Sequence, residues 1–149
     1  MNITIETPRQ AEVAVLLDRL DAYCAALYPA ESNHLLGIDA LCADDVVFLV
    51  ARDPQGGALG CAALVVRPGY GEVKRMFVDP ARRGAGTGGA LLRELARQAV
   101  RADLACLKLE TGIHQPEAIA LYERAGFTRC APFGHYLPDP LSIFMERRL

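Results

Sequence analysis

No apolar run in this sequence approaches the roughly 20 residues that a membrane-spanning helix needs, and its first segment, MNITIETPRQ, lacks the apolar core of a signal peptide. The expectation is a cytoplasmic protein without a membrane partner. A strong charge of one sign is missing too: 16 lysines and arginines against 18 aspartates and glutamates leave a formal net charge of −2. Nothing here produces the broad positive field that a nucleic-acid backbone or an anionic membrane would need, so any anionic ligand must be held by local groups. Serine is scarce. Only Ser32 and Ser142 occur, and neither lies in the G-x-S-x-G turn of a serine hydrolase. Cys24, Cys42, Cys61, Cys106 and Cys130 are odd in number and far apart. That fits neither a disulfide framework nor the C-x-x-C spacing of a zinc site, and they read as small buried hydrophobes. His34, His114 and His135 are equally scattered, so no metal is expected.

What is present suits one compact domain over residues 1–149: the composition is 52% hydrophobic and 23% charged, and a chain of this length buries about two-thirds of its unfolded surface. Residues 3–6 alternate as a short strand. Thr7-Pro8-Arg9-Gln10 then offers an N-cap, a proline at the first helical position and a capping-box glutamine. Val13, Leu16, Leu17, Leu20, Tyr23, Cys24 and Leu27 recur at helical spacing until Tyr28-Pro29. A polar loop follows, then a short helix over 35–41. Residues 46–51 and 58–67 are β-rich, joined by the turn Asp53-Pro54-Gln55-Gly56-Gly57. Residues 72–78 extend this meander, and simple alternation puts Glu72, Lys74 and Met76 on one face and Val73, Arg75 and Phe77 on the other. Leu91, Leu92, Leu95, Ala96 and Ala99 mark another helix, 105–110 a strand, and Ala118, Leu121, Tyr122 and Ala125 a last helix stopped by Gly126. Two final strands fall after Phe127 and over 141–146.

Arg83-Gly84-Ala85-Gly86-Thr87-Gly88 lies between a strand and an amphipathic helix. Glycine permits positive φ and close approach of a bulky anion, and the helix N-terminus adds free N–H groups and the positive end of a dipole, so the loop suits a pyrophosphate. Arg82 or Arg83 could add a charge-assisted contact. A plain flexible turn is the bland alternative. Gly84, Gly86 and Gly89 also satisfy G-x-G-x-x-G, with Glu110 ending the next strand as a dinucleotide fold requires. Against that, residues 79–83 separate strand from glycine, the unit sits in an antiparallel meander, and too little chain follows to complete a doubly wound sheet.

The run Val78-Asp79-Pro80-Ala81-Arg82-Arg83-Gly84-Ala85-Gly86-Thr87-Gly88-Gly89-Ala90-Leu91-Leu92 resembles the acyl-CoA signature of the GNAT superfamily of N-acyltransferases, with its Arg/Gln-x-x-Gly-x-Gly/Ala pattern on Arg83, Gly86 and Gly88. A second block, residues 115–127, resembles the family's N-x-x-A-x-x-L-Y-x-x-x-G-F helix, with Gln115 where asparagine is usual. The resemblance covers roughly residues 45–130 strongly. It implies an α/β (α+β) fold: a mixed, mostly antiparallel sheet of about six or seven strands with helices on both faces, splayed between the 72–78 and 105–110 strands.

The resemblance further implies transfer of an acetyl group from acetyl-CoA to an amine by direct attack in a ternary complex. Tyr122 would protonate the leaving thiolate and Glu72 would accept the ammonium proton, directly or through water. Met76, Phe77 and Val78 would flank the pantetheine, with backbone N–H groups polarising the thioester oxygen. Arg83, Gly84, Ala85, Gly86, Thr87 and Gly88 would hold the pyrophosphate, and Gln115 and Ala118 would complete the cofactor wall. Tyr28, Glu31, Asn33, His34, an outward-facing Lys74 or Arg75 and the segment Phe133 to Pro140 are the candidates for a small amine or amino-acid-like acceptor, with Arg75 able to pair with a carboxylate. A non-catalytic acyl-CoA-binding module, or acetylation of a protein amine, is the competing reading. An exposed edge strand near the C-terminus could pair two subunits.

Overall fold

A computed structural model describes residues 1–149. One seven-stranded sheet runs in the order β1-β2-β3-β4-β5-β7-β6, from β1 (Asn2–Ile5), β2 (Val46–Arg52), β3 (Ala58–Arg67), β4 (Tyr70–Val78), β5 (Cys106–Gly112), β6 (Thr128–Arg129) and β7 (Ser142–Arg148). Every neighbouring pair is antiparallel except β4 and β5, which are parallel. The sheet agrees with the mixed, mostly antiparallel architecture expected. It is covered on one face by α1 (Ala11–Leu27) and α2 (Ile38–Leu41) and on the other by α3 (Thr87–Arg101) and α4 (Pro116–Arg124).

Covering both faces explains the central strands. Along β2, Phe48 and Val50 pack with Val13, Leu16 and Leu17 of α1, while Leu49 and Ala51 pack with Leu91, Leu92 and Leu95 of α3. A strand buried on both sides needs an unbroken apolar run rather than alternation, and VVFLVA in β2 and GCAALVV in β3 supply one.

Three local expectations are corrected. Helix α1 starts at Ala11, with Gln10 still extended (φ −139°, ψ 142°). The Thr7 hydroxyl instead accepts from Arg9 N (3.1 Å), and Gln10 Nε2 donates to Glu6 Oε1 (3.0 Å) and Thr7 O (2.9 Å). Arg52 gathers these groups, donating to Glu6 Oε1 at 2.7 Å and Gln10 Oε1 at 3.0 Å, and holds the Glu6 carboxyl at about 2. The side-chain network wins over the capping box. The helix expected over 35–41 is limited to Ile38–Leu41, preceded by a 3-10 turn at Ala30–Ser32. Among the cysteines only Cys24 and Cys61 are buried, and Cys42 is exposed.

Alternation also fails in β4. The register against β3 shifts between Cys61 and Ala63, and Arg75 adopts φ 54°. This bulge puts one extra residue into β4 and reverses the faces beyond it. Val73 and Met76 therefore pack toward α3, whereas Phe77 packs toward α1, as does Arg75, which is bonded to Asp21 and to the Leu17 carbonyl. The sheet opens just before the bulge. β4 and β5 pair only at Gly71↔Leu107 and Glu72↔Lys108, and from there their C-terminal halves diverge into a V.

The mouth of that V is pinned from the α1 side. The Tyr28 hydroxyl, just after α1, occupies the space beside Gly112 at the end of β5, where a Cβ would lie 1.8 Å from the oxygen. Gly112→Ala must push Tyr28 aside, and should cost about 1–3 kcal/mol, as overpacking in a filled site does. A lowered urea midpoint with unchanged m-value is the expected readout.

Candidate active site

The first wall of the V is built from β4 and the loop after it. Asp79 accepts from Ala81 N (3.0 Å) and caps the 3-10 turn Pro80–Arg82. Gly84 and Gly86 then take φ of 91° and 80°, and an added Cβ at either would meet nothing within 4 Å. Backbone conformation, not crowding, demands glycine there, and the space beside it is open. Gly86 is the N-cap of α3 and gives no side-chain cap, so first-turn N–H groups remain for a ligand. Gly88 answers a different need: its Cβ would come 2.8 Å from Leu121 Cδ2, so its absence lets α3 and α4 close together.

Between these elements lies a cleft of about 420 Å³, lined by Met76, Phe77, Val78, Arg83, Gly84, Gly86, Thr87, Gly88, Gln115, Ala118 and Tyr122, among others. Ala85 is exposed and outside the lining. The Thr87 hydroxyl is buried without a hydrogen-bond partner in the chain, a costly arrangement unless a ligand supplies an acceptor. Arg82 is diverted to Asp53 Oδ2 at 2.6 Å, which leaves Arg83 as the loop's cation on the cleft. The orphaned hydroxyl, the uncapped helix end and Arg83 fit a pyrophosphate-bearing ligand such as acetyl-CoA.

The cleft continues into an inner pocket of about 80 Å³, with Leu20, Met76, Gln115 and Tyr122 lining both. Tyr122 is buried against Phe127, ring centroids 5.9 Å apart, and burial pushes its phenol well above the usual range, so it stays protonated. Glu110, from the C-terminal end of β5, lines the same pocket. Burial raises its carboxyl to about 7, opposed by Lys74 and reinforced by Asp139 and Glu72. Sequence reading assigned Glu110 only to the rejected dinucleotide alternative. Its signal was available: a lone acid ending a strand immediately before the second family block.

The acceptor-side candidates are placed unevenly. Tyr28 and Gln115 form one unit: the Tyr28 hydroxyl accepts from His114 N (3.0 Å) and donates to Gln115 Oε1 (3.2 Å), which also accepts from Gly112 N (3.2 Å). Asn33 spends its amide on the C-terminal carbonyls of α1, at 3.5 Å from Cys24 O and 3.4 Å from Tyr28 O. His34 borders both the inner pocket and an outer cavity of about 810 Å³, which Glu31 and Glu72 also line. Arg75 is not outward-facing. Its side chain is 3% exposed and bonded to Asp21 at 2.5 Å, because the bulge turns it under α1. Glu72 is held by Arg67 (3.1 Å) and by the Tyr136 hydroxyl, and does not line the pocket that contains Tyr122.

The model of the Acetyltransferase (GNAT) domain matches residues 44–129. This chain belongs to the GNAT acetyltransferase family. It is 50% identical over 152 residues to an IAA acetyltransferase of Azospirillum brasilense, covering 99% of both chains, and 31% identical over full length to an N-acetyltransferase of Bacillus subtilis (strain 168). Among solved structures it is similar to an acyl-CoA N-acyltransferase of Klebsiella pneumoniae, with TM-score 0.84, 42% identity and coverage of 99% and 97%. A Thermoplasma acidophilum acetyltransferase in complex with coenzyme A shares the fold, at TM-score 0.73 and 16% identity over the whole of both chains. The protein is thus an acyl-CoA-dependent N-acetyltransferase, which moves an acetyl group from acetyl-CoA to an acceptor nitrogen.

The two neighbouring arginines of this acetyltransferase separate cofactor binding from loop support. Arg83→Ala should raise the KM for acetyl-CoA about tenfold, the loss of one charge-assisted contact. Arg82→Ala, which frees only Asp53, should leave it within about twofold. Steady-state titration of acetyl-CoA at fixed acceptor checks both.

Proposed function

We propose that the acceptor is a small molecule carrying a primary amine, and that Glu110 and Tyr122 act on it as base and acid. The observation that carries this reading is their convergence: both line one inner pocket opening directly from the cofactor cleft. A pocket of about 80 Å³ suits an amine headgroup better than a protein segment. The name of the Azospirillum relative, an IAA acetyltransferase, also supports a small acceptor.

In this reading the ammonium gives one proton to Glu110. The neutral amine attacks the thioester carbonyl, whose oxygen is polarised by backbone N–H groups near Phe77 and Val78 on the unpaired edge of β4. As the C–N bond forms and the C–S bond breaks, Tyr122 protonates the departing thiolate. The nitrogen's second proton restores Tyr122 through Glu110 or water, so one proton is released to solvent overall. The proton-accepting role expected of Glu72 passes to Glu110, because Glu72 is held by Arg67 and the Tyr136 hydroxyl and does not line the pocket that contains Tyr122. Direct attack is favoured over an acetyl-cysteine route: Cys24 borders the pocket, but burial raises its thiol and disfavours the thiolate. A binding-only module would have no use for an acid and a base lining one pocket beside the cleft.

Acetyl-CoA binding by calorimetry, followed by free-thiol release against a panel of amines, tests the class; binding with no thiol release on any amine would refute the enzymatic reading. Tyr122→Phe should lower kcat by about 10²–10⁴-fold at saturating acetyl-CoA, the usual range for loss of a general acid. Because Glu110 must be deprotonated to act, the rate should rise with pH through about 7. Glu110→Gln should remove that acidic limb, and a limb that persists in the variant would take Glu110 out of the mechanism.

A further inference from the structure

The inner pocket holds a buried cation that the transfer reaction itself does not require. Lys74 extends from β4 with its side chain 10% exposed. Its ammonium donates to His34 O at 2.6 Å and to the Tyr136 hydroxyl at 2.7 Å. Glu72 lies 3.7 Å away, yet that carboxylate is already bridged by Arg67 and Tyr136. An ammonium has three donors, so one remains after His34 and Tyr136, and Lys74 lines the inner pocket. Burial is the main cause that lowers its basicity and Arg67 adds to it, while the Glu72 and Glu110 carboxylates oppose it. Glu110 shares the pocket without pairing directly with Lys74; its side chain makes no hydrogen bond in the chain, although the two feel one another's charge.

A simple amine entering this pocket as its ammonium would find Glu110 attractive and Lys74 repulsive. An acceptor with a carboxylate one carbon from its amine meets both groups with opposite charge. We propose that the acceptor is an α-amino acid with a free carboxylate, its amine at Glu110 and its carboxylate on the free donor of Lys74, which makes Lys74 the specificity-determining residue. This rests on the reading above, in which the amine sits at Glu110. His34 borders both spaces, so the amino-acid side chain passes it into the outer cavity of about 810 Å³, walled by Tyr70, Tyr136, Pro138 and Pro140. In the transfer the acceptor ammonium loses two protons, one ending on the coenzyme A thiol and one in solvent, and the carboxylate is unchanged.

The test sets each proteinogenic amino acid against its decarboxylated amine and its carboxamide, with thiol release read at saturating acetyl-CoA. The free acid should exceed both analogues by about 10–100-fold in kcat/KM, the value of one charge-assisted contact. In Lys74→Met that ratio should fall to within about threefold of unity, and Lys74→Arg should restore part of it. Acetyl-CoA affinity by calorimetry reports that each variant is folded. A purely structural role for Lys74 would change KM for acid and amine by the same factor and leave the ratio intact, which overturns the proposal. Wild-type enzyme that acetylates amines as well as it acetylates their parent acids overturns it as well, while leaving the small-amine reading standing. Acetyl-CoA binding without turnover on any member of the panel removes both.

Discussion

The parting of β4 and β5 is the constraint on which the rest of the molecule depends. Two strands that began parallel and stayed paired would seal the sheet, and no ligand could reach its centre. Pairing stops after Glu72↔Lys108, the bulge at Arg75 bends β4 away, and α3 and α4 start on the two rims of the gap. Each rim then does what a helix start does for an anion or a polar chain, offering unpaired backbone donors. The opening leaves β4 backbone groups unmatched by β5, a cost that a bound chain with amide groups of its own offsets. Arg75 stabilises the bend: its guanidinium ties the bulge to Asp21 and the Leu17 carbonyl of α1, so the helix that lines the cleft is bonded directly to the strand that opens it.

Polarity inside the V is arranged by burial more than by net charge. With a formal charge of −2 the protein has no long-range pull on a polyanion, and the phosphate end of the cleft works through short-range donors and Arg83. Deeper in, desolvation acts on two groups of opposite sign. It raises Glu110 to about 7, near the working range of a base, and lowers the basicity of Lys74. The same low-dielectric surroundings keep the Tyr122 phenol protonated, so one pocket holds a carboxyl raised toward neutrality and a phenol that keeps its proton.

Much of this was legible in the residues. The strand read at 58–67 has the bounds Ala58–Arg67, the Gly126 stop takes φ 93°, and the two family blocks fall on the opposing rims of the cleft. Two things were hidden for physical reasons. A bulge inserts a residue without any glycine or proline to mark it, so strict alternation put Met76 on the wrong face and turned outward an arginine that is buried against α1 at the edge of the inner pocket. A carboxylate available to act as a base is distinguished from a structural one by what surrounds it, and the linear pattern pointed to Glu72 rather than Glu110. Only the fold shows Glu72 saturated by Arg67 and Tyr136, and Glu110 without a partner.

The departure at Gln115 shows how one substitution is absorbed by its neighbours. Asparagine at this position would place its amide one methylene nearer the backbone. Glutamine's longer arm instead lets Oε1 accept from both Gly112 N and the Tyr28 hydroxyl, which consumes the acceptor end and leaves the amide N–H groups for the cleft and inner pocket that Gln115 lines. The arrangement needs Tyr28 close against β5, and that closeness in turn needs Gly112, where any Cβ would collide with the hydroxyl. Tyr28, Gly112 and Gln115 are therefore one device distributed over 87 residues of sequence separation. The motif alone makes the glutamine an isolated deviation, whereas packing makes it one corner of a triangle that fixes donor direction at the junction of the cleft and the inner pocket.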